Sequence, residues 1–328
     1  MVIVGAGFAG LAACEAVESS PVDVCVVERH NFNTFQPLLY QMATAGLNPG
    51  DIAHPALAAA AVVAGGGPTG VELAGTLAER RRMELETLYR DLDPDAASVV
   101  LVERRERLLL GFDERLLAYA RSVLEARGVR VRLGETVAEV TPMSVRLASG
   151  EVVHASAVVW AAGVGEGELT SAVERPKTHG RLDVGPDLRL VGEDRVFAAG
   201  DMAAATAATA AAPATAAANG RGVTLPQLAQ PAIQEGRHVG RQIAAMLSGL
   251  PTSSFVYKDK GIMATIGRRA AVAELPRGIR LRGTLAWIAW LGLHLVLLLG
   301  VRNRAAVLLN WAWRYVSWRR VPKVIAGA

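Results

Sequence analysis

Only two of the 328 residues are cysteines, Cys14 and Cys25, eleven positions apart. There is no redox CxxC pair and no cysteine metal site, and a disulfide-stapled scaffold is excluded. The six histidines, His30, His54, His154, His179, His238 and His294, form no ligand-spaced cluster, so no metal is expected. No Ser, His and Asp combination forms a nucleophile elbow. The carboxy-terminal apolar run from Leu285 to Gly300 has 16 residues, short of the roughly 20 that a spanning helix needs. No secretory signal precedes Met1-Val2-Ile3-Val4-Gly5, which sets the expectation of a protein on the cytoplasmic side. Acid is scarce in one place: from Arg277 onward there is no Asp or Glu.

The net charge, 35 basic against 31 acidic residues or +4, is small for so long a chain and does not mark a nucleic-acid binder. The basic excess after Arg277 is interleaved with Trp, Leu and Val, which points to an anionic membrane surface rather than DNA. Hydrophobic types make up 51% of the chain, enough for two domains with their own cores and too many for a disordered chain.

The first feature that carries chemistry is Val2–Val4 running into Gly5-Ala6-Gly7-Phe8-Ala9-Gly10, with helical character from Leu11 to Val17. A second apolar run, Val22 to Val27, ends on Glu28, 18 residues after Gly10. Strand, glycine turn, helix, strand and terminal acid form the dinucleotide-binding pattern. The glycines let backbone approach a pyrophosphate, the helix N-terminus offers it unpaired N–H groups, and the acid reads a ribose. The pattern recurs: Ala61–Ala64 leads into Gly65-Gly66-Gly67-Pro68-Thr69-Gly70, a helix from Val71 to Arg82, and a strand Val99–Val102 ending on Glu103. The longer second spacing is assigned to an added helical segment, Met83 to Tyr89, and a turn at Asp91–Pro94. Short alternating strands follow from Val129 to Ala161, closing on Gly163. Residues 203–218 contain only Ala, Thr and Pro, and read as a surface insertion of low complexity.

Five segments, in order, resemble the type II NADH:quinone oxidoreductases, single-subunit alternative NADH dehydrogenases among the two-dinucleotide flavoproteins. They are Val4–Gly10 with Glu28–Asn31, Phe35–Gln41, the second glycine motif with Gly70–Gly75, Phe197–Asp201, and Ala229-Gln230-Pro231-Ala232-Ile233-Gln234. The resemblance implies an α/β fold of two Rossmann-like dinucleotide-binding domains, one for FAD and one for NAD, plus a C-terminal helical membrane anchor. It divides the chain into a discontinuous FAD domain of residues 1–57 and 176–276, an NAD domain of 58–175, and an anchoring region of 277–328. FAD would take Gly5, Gly7, Gly10, Glu28 and Arg29 with Gly200 and Asp201; NADH would take Gly65, Gly67, Gly70, Glu103 and Gly163. An acid at 103 disfavours a 2′-phosphate, though Arg104 and Arg105 follow at once.

Glu72 is assigned by the same resemblance to the meeting point of nicotinamide, flavin and quinone. Gln230 and Gln234 are assigned to quinone, and Lys260 to proton delivery near the flavin. Read alone, Glu72 is a helix-start acid, the glutamines an amphipathic helix face, and Lys260 a solvated lysine. The partners implied are a membrane quinone and a bilayer surface, with a homodimer left open and nucleic acid excluded. The place implied is the cytoplasmic face of the cell membrane, as a peripheral, monotopic protein. Five of the six tryptophans, Trp287, Trp290, Trp311, Trp313 and Trp318, lie in the last region, with Arg319, Arg320 and Lys323 beyond. Two helices lying in one leaflet accommodate that arrangement, whereas a buried hairpin leaves the tryptophans and basic flank without a role. Truncation at Gly283 is expected to release the protein.

Two features depart from the family. Only six residues, Ala56 to Ala61, join Asp51–Pro55 to the second glycine motif, so a segment on the order of 100 residues of the FAD domain is missing. Thr76 stands where the family has a further acid one turn after Glu72. The readings that compete are another two-dinucleotide flavoprotein reductase and a membrane-bound nucleotide-binding remnant without activity.

Overall fold

The computed structural model describes residues 1–29, 60–88, 98–206, 224–298 and 301–316. In chain order the elements begin β1 (Val2–Val4), α1 (Phe8–Val17), β2 (Cys25–Val27), β3 (Ala60–Ala64), α2 (Pro68–Leu88), β4 (Val99–Glu103) and α3 (Glu114–Ala126). They continue β5 (Val129–Leu133), β6 (Val137–Val140), β7 (Ser144–Leu147), β8 (Val152–Trp160), α4 (Glu168–Ala172), β9 (Lys177–Thr178) and β10 (Arg181–Leu182). After a turn of 3-10 helix at Gly200–Met202 come α5 (Ala229–Leu247), β11 (Ile262–Thr265), β12 (Ala271–Leu275), β13 (Ile279–Arg282), α6 (Gly283–Leu297) and α7 (Val301–Val316). The expectations for Phe35–Gln41, for the junction at residues 51–59, for the turn at 91–94 and for most of 203–218 fall outside the described residues.

The chain forms two compact units: Met1–Thr34 with Val164–Lys260, and Phe35–Gly163 with Gly261–Ala328. This differs from the sequence expectation in three places. Residues 164–175, expected with the second glycine motif, join the first unit. Ile262–Leu275, expected with the first glycine motif, joins the second, and so does the carboxy-terminal region. Four close contacts explain the placement of the 266–268 turn. The Arg127 guanidinium donates to the Ile266 and Arg268 carbonyls, Glu79 accepts the Arg268 N–H, and Glu79 and Arg127 form an ion pair at 2.8 Å. Helix α2 comes so near the turn that a Cβ on Gly75 would lie 2.4 Å from the Ile266 carbonyl oxygen.

In the second unit six strands run in the order β5-β4-β3-β8-β7-β6. The first four are mutually parallel and β6–β8 form an antiparallel meander. Alternation sorts side chains to the two faces. Val63 and Leu101 enter one core with α2, α3, Ile266, Val272 and Trp290, while Val62, Val100 and Val102 enter another with Val145 and Leu147. Every residue of β3 is buried, as a central parallel strand requires. Helix α2 starts on Pro68, whose fixed φ suits a first helical position, and runs unbroken to Leu88.

In the first unit β1 and β2 pair in parallel, Val2 to Cys25 and Val4 to Val27. Nothing further joins this sheet among the described residues, and Val2, Val4, Val26 and Val27 are exposed. Parallel sheets are ordinarily covered on both faces, and among the described residues this one is not. The unit is held instead by α1 against α5. Gly236 and Gly240 make that approach possible: a Cβ at the first would stand 2.0 Å from the Ala9 carbonyl oxygen, and at the second 2.7 Å from that of Ala13. Ala203 and Ala205, at the start of the Ala/Thr/Pro stretch, are fully buried, contrary to a surface placement for that part.

Candidate functional site

The two glycine turns are built alike. Gly5 and Gly65 have φ of +100° and +114°, a region open to glycine. Their N–H groups donate to the carbonyls of Val27 and Val102, the strand next door, at 2.9 and 2.8 Å. A Cβ on Gly10 would come within 2.0 Å of the Gly5 carbonyl oxygen, and one on Gly70 within 1.8 Å of the Gly65 oxygen, so each last glycine lets its helix close on the turn. Around Gly7 and Gly67 a Cβ would meet nothing within 4 Å among the described residues, open space of the kind a phosphate needs at a helix N-terminus. The strand-end acids match too. Glu28 accepts the N–H groups of Ala6 at 2.6 Å and Arg29 at 2.7 Å; Glu103 accepts those of Gly66 at 2.6 Å and Arg105 at 2.9 Å. Each acid thus stands at the mouth of its turn.

The first unit gathers Gly5, Gly7, Gly10, Glu28, Arg29, Gly200, Asp201, Gln230, Gln234 and Lys260; the second gathers Gly65, Gly67, Gly70, Glu72, Glu103 and Gly163. Arg29 makes an exposed ion pair with Glu168 at 2.7 Å. Gly200, at φ +77°, sits between Ala9 of α1 and Ala232 of α5 and donates its N–H to Glu235 at 2.6 Å. The Asp201 carbonyl accepts from Gln227, and burial raises the Asp201 carboxyl while Arg181 lowers it. In the second unit Gly163, at φ +107°, ends the strand-exit segment in which the Ala161 carbonyl approaches Gly65.

The two glutamines of α5 differ in use. Gln234 is engaged at both amide atoms by the backbone of Lys258, donating to its carbonyl at 2.9 Å and accepting its N–H at 3.0 Å. It thereby fixes the segment that carries the exposed Lys260. The side-chain amide oxygen of Gln230 is buried and has no hydrogen-bond partner among the described residues.

Glu72, two residues past Gly70, is 8% exposed and accepts the Thr265 N–H at 3.1 Å. The Thr265 hydroxyl and the Trp290 indole also hydrogen-bond its carboxyl, and burial outweighs these partners to push it up to about 8. Residue-level reading missed Glu235, which is 1% exposed and pushed up to about 7 by burial, the Gly200 N–H and Arg181 opposing the shift. A signal for it existed: Ala232, Gly236 and Val239 mark the buried stripe of α5, and Glu235 falls on it. Trp290 was placed in the membrane layer, yet its side chain is 1% exposed within the core of the second unit.

A strand, glycine turn, helix and mouth acid built twice define a two-dinucleotide oxidoreductase. Residues 49–236 match the pyridine nucleotide-disulphide oxidoreductase family and residues 260–320 the NDH2 C-terminal domain. The chain is 28% identical to the type II NADH:quinone oxidoreductase Ndh of Mycobacterium tuberculosis, across 98% of this chain and 89% of that protein. It is 34% identical to the mitochondrial internal alternative NAD(P)H-ubiquinone oxidoreductase A1 of Arabidopsis thaliana, across 80% of this chain and 52% of that one. The fold matches NDH2 from Plasmodium falciparum, solved in complex with NADH, with a TM-score of 0.81 at 16% identity, covering 98% of this chain and 99% of the other. The chain belongs to the pyridine nucleotide-disulphide oxidoreductases and, within them, to the type II NADH:quinone oxidoreductases.

Proposed function

We propose that the protein is a FAD-dependent NADH:quinone oxidoreductase that does not pump protons. The observation that carries this is the duplicated turn, two pyrophosphate cradles each with an acid at its mouth. The residues present fit a flavin dinucleotide on the first turn. Gly7 leaves room for the phosphates, Glu28 stands where a ribose hydroxyl would meet it, and Gly200-Asp201 lies against the helix that the turn opens. NADH is assigned to the second turn, with Glu103 on its ribose. The bound flavin supplies the redox chemistry, accepting hydride from NADH and returning two electrons to quinone.

The chain's own task is to bind, orient and exclude water. Gly67 and the start of α2 receive the pyrophosphate, and Glu103 opposes a 2′-phosphate by charge. Gln230 is the quinone contact. Its buried amide can donate to a quinone carbonyl or accept from a quinol hydroxyl without adding charge to an apolar site. Gln234 acts at one remove, holding Lys258 and hence the approach of Lys260. Glu72 is assigned to the region where NADH and quinone react. Among the described residues no helix is long and apolar enough to cross a membrane. Binding to a bilayer surface from the cytoplasmic face rests on the outward side of α6, where Leu285, Ile288, Leu293 and Val296 are exposed.

The purified protein is expected to carry a flavin band near ~450 nm that NADH bleaches and a short-chain quinone restores. Gln230→Ala should slow the quinone step about tenfold, one hydrogen bond's worth of free energy, and leave bleaching by NADH nearly unchanged. Preparations that never hold flavin would favour the nucleotide-binding remnant.

A further inference from the structure

Helix α6 has two faces with different employment. Leu285, Ile288, Leu293 and Val296 point outward, with exposures of 70% and 65% at the two ends. Ala286 and Trp290, four apart, are buried inward. A tryptophan serving a headgroup layer would turn its indole outward. This one turns inward, and its N–H reaches the Glu72 carboxyl of α2. The ring is clamped from its own helix: His294, one turn on, stacks on it at 3.8 Å and 21°, and the His294 Nδ1 lies 2.8 Å from the Trp290 carbonyl.

We propose that Trp290 is a positioning residue for Glu72, through which the helix with the apolar outer face fixes the start of the dinucleotide helix. Glu72 stands two residues beyond Gly70, the residue that closes α2 onto its turn. Every hydrogen-bond donor described at its carboxyl comes from the carboxy-terminal elements, Thr265 of β11 and Trp290 of α6. A displacement of α6 is therefore felt at the first turn of α2, where the reacting nicotinamide is assigned. That last assignment rests on the proposed function; the link between Trp290 and Glu72 does not.

The groups that face Glu72 are few. On β11 it meets the Thr265 hydroxyl and N–H, and on α6 the Trp290 indole, with His294 against the ring face and held below the usual imidazole range by burial. On α2 the next charged partner further along is Glu79, which is committed to Arg127 and Arg268. Removing the indole N–H withdraws a donor that favours the ionised carboxylate.

The test is Trp290→Phe in the full-length protein, which keeps an aromatic ring and loses the N–H. Infrared titration follows the C=O band of the protonated Glu72 carboxyl, identified by its loss in Glu72→Gln. The midpoint near 8 is expected to move up by about one pH unit, and the pH profile of quinone reduction should move with it. An unchanged infrared midpoint in Trp290→Phe overturns the proposal. If Trp290→Phe does not fold, replacement by the sulfur isostere of tryptophan, which has the ring shape and no N–H, gives the same reading. Glu72→Gln separates the two claims: if both half-reactions are unaffected by it, the reaction-site role of Glu72 fails, while the infrared midpoint still decides the role of Trp290.

Discussion

Two buried carboxyls, Glu72 and Glu235, are held above the usual carboxylate range by burial, at about 8 and about 7. For such a group the native state holds a proton that the unfolded chain has already released, so stability falls as pH rises between the unfolded and native values. The protein should therefore lose thermal stability from about pH 4.5 toward 7 to 8, the reverse of a protein held by ionised, salt-bridged carboxylates. In Glu235→Gln the fall between pH 4.5 and 7 should shrink to about half, the part that Glu72 alone contributes, measured as a flatter Tm against pH. A slope equal to wild type would mean that Glu235 stays ionised across that range. At this scale the sequence was legible where function is local. Gly5, Gly10, Gly65 and Gly70 are required by short-range backbone geometry, and the glycines alone announce it. The burial of Glu235 could be read from the stripe of its helix, but its role and that of Trp290 could not, because they depend on what is packed opposite, the Gly200 N–H in one case and Glu72 in the other.

The element that organises the first unit is the α1–α5 pair rather than its sheet. Helix α5 meets α1 through Gly236 and Gly240, with backbone carbonyls where side chains would otherwise stand. Gly236→Leu should force the helices apart at Ala9, inside the glycine motif and in the first turn of α1. The expected result is a loss of about 1–3 kcal/mol or more for that unit, with flavin content falling and NADH binding by the second unit kept. Equal loss of both would show that the units are not independent in stability. In the second unit β3 and β4 were readable from their apolar runs and the strands from Val129 to Ala161 from alternation, and the extra length before Glu103 was rightly assigned to helix, since α2 runs on to Leu88. The allegiance of β11 and β12 was not readable. It depends on Glu79 and Arg127 capturing the 266–268 turn across more than a hundred residues of sequence.

For the whole molecule, the carboxy-terminal region was read as an anchor alone, and the structure gives part of it a place in the packed core. Ala286 and Trp290 complete the second unit's apolar interior. Truncation at Gly283 would remove them together with the outer face, so a truncated chain is expected to aggregate rather than yield a clean soluble form. Glutamates at Leu285, Ile288 and Val296 are the sharper experiment, since they remove apolar area and repel anionic lipid. Release from anionic vesicles with Tm within a degree or two of wild type is expected; continued co-sedimentation would remove this face from the bilayer-binding assignment.

The paired strands β1 and β2 set a different consequence at the same scale. Three residues a side, valines open to water, and no further strand among the described residues make a sheet that contributes little stability of its own. A ligand that binds only the folded form adds stability by mass action, about 2.7 kcal/mol at a hundredfold excess over its Kd. On the proposed assignment that ligand is the flavin, and the first unit leans on it as a mortarless arch leans on its centring. Protein that leaves the ribosome without flavin is then the population that cellular proteases clear first, and steady-state abundance follows vitamin supply as much as gene expression.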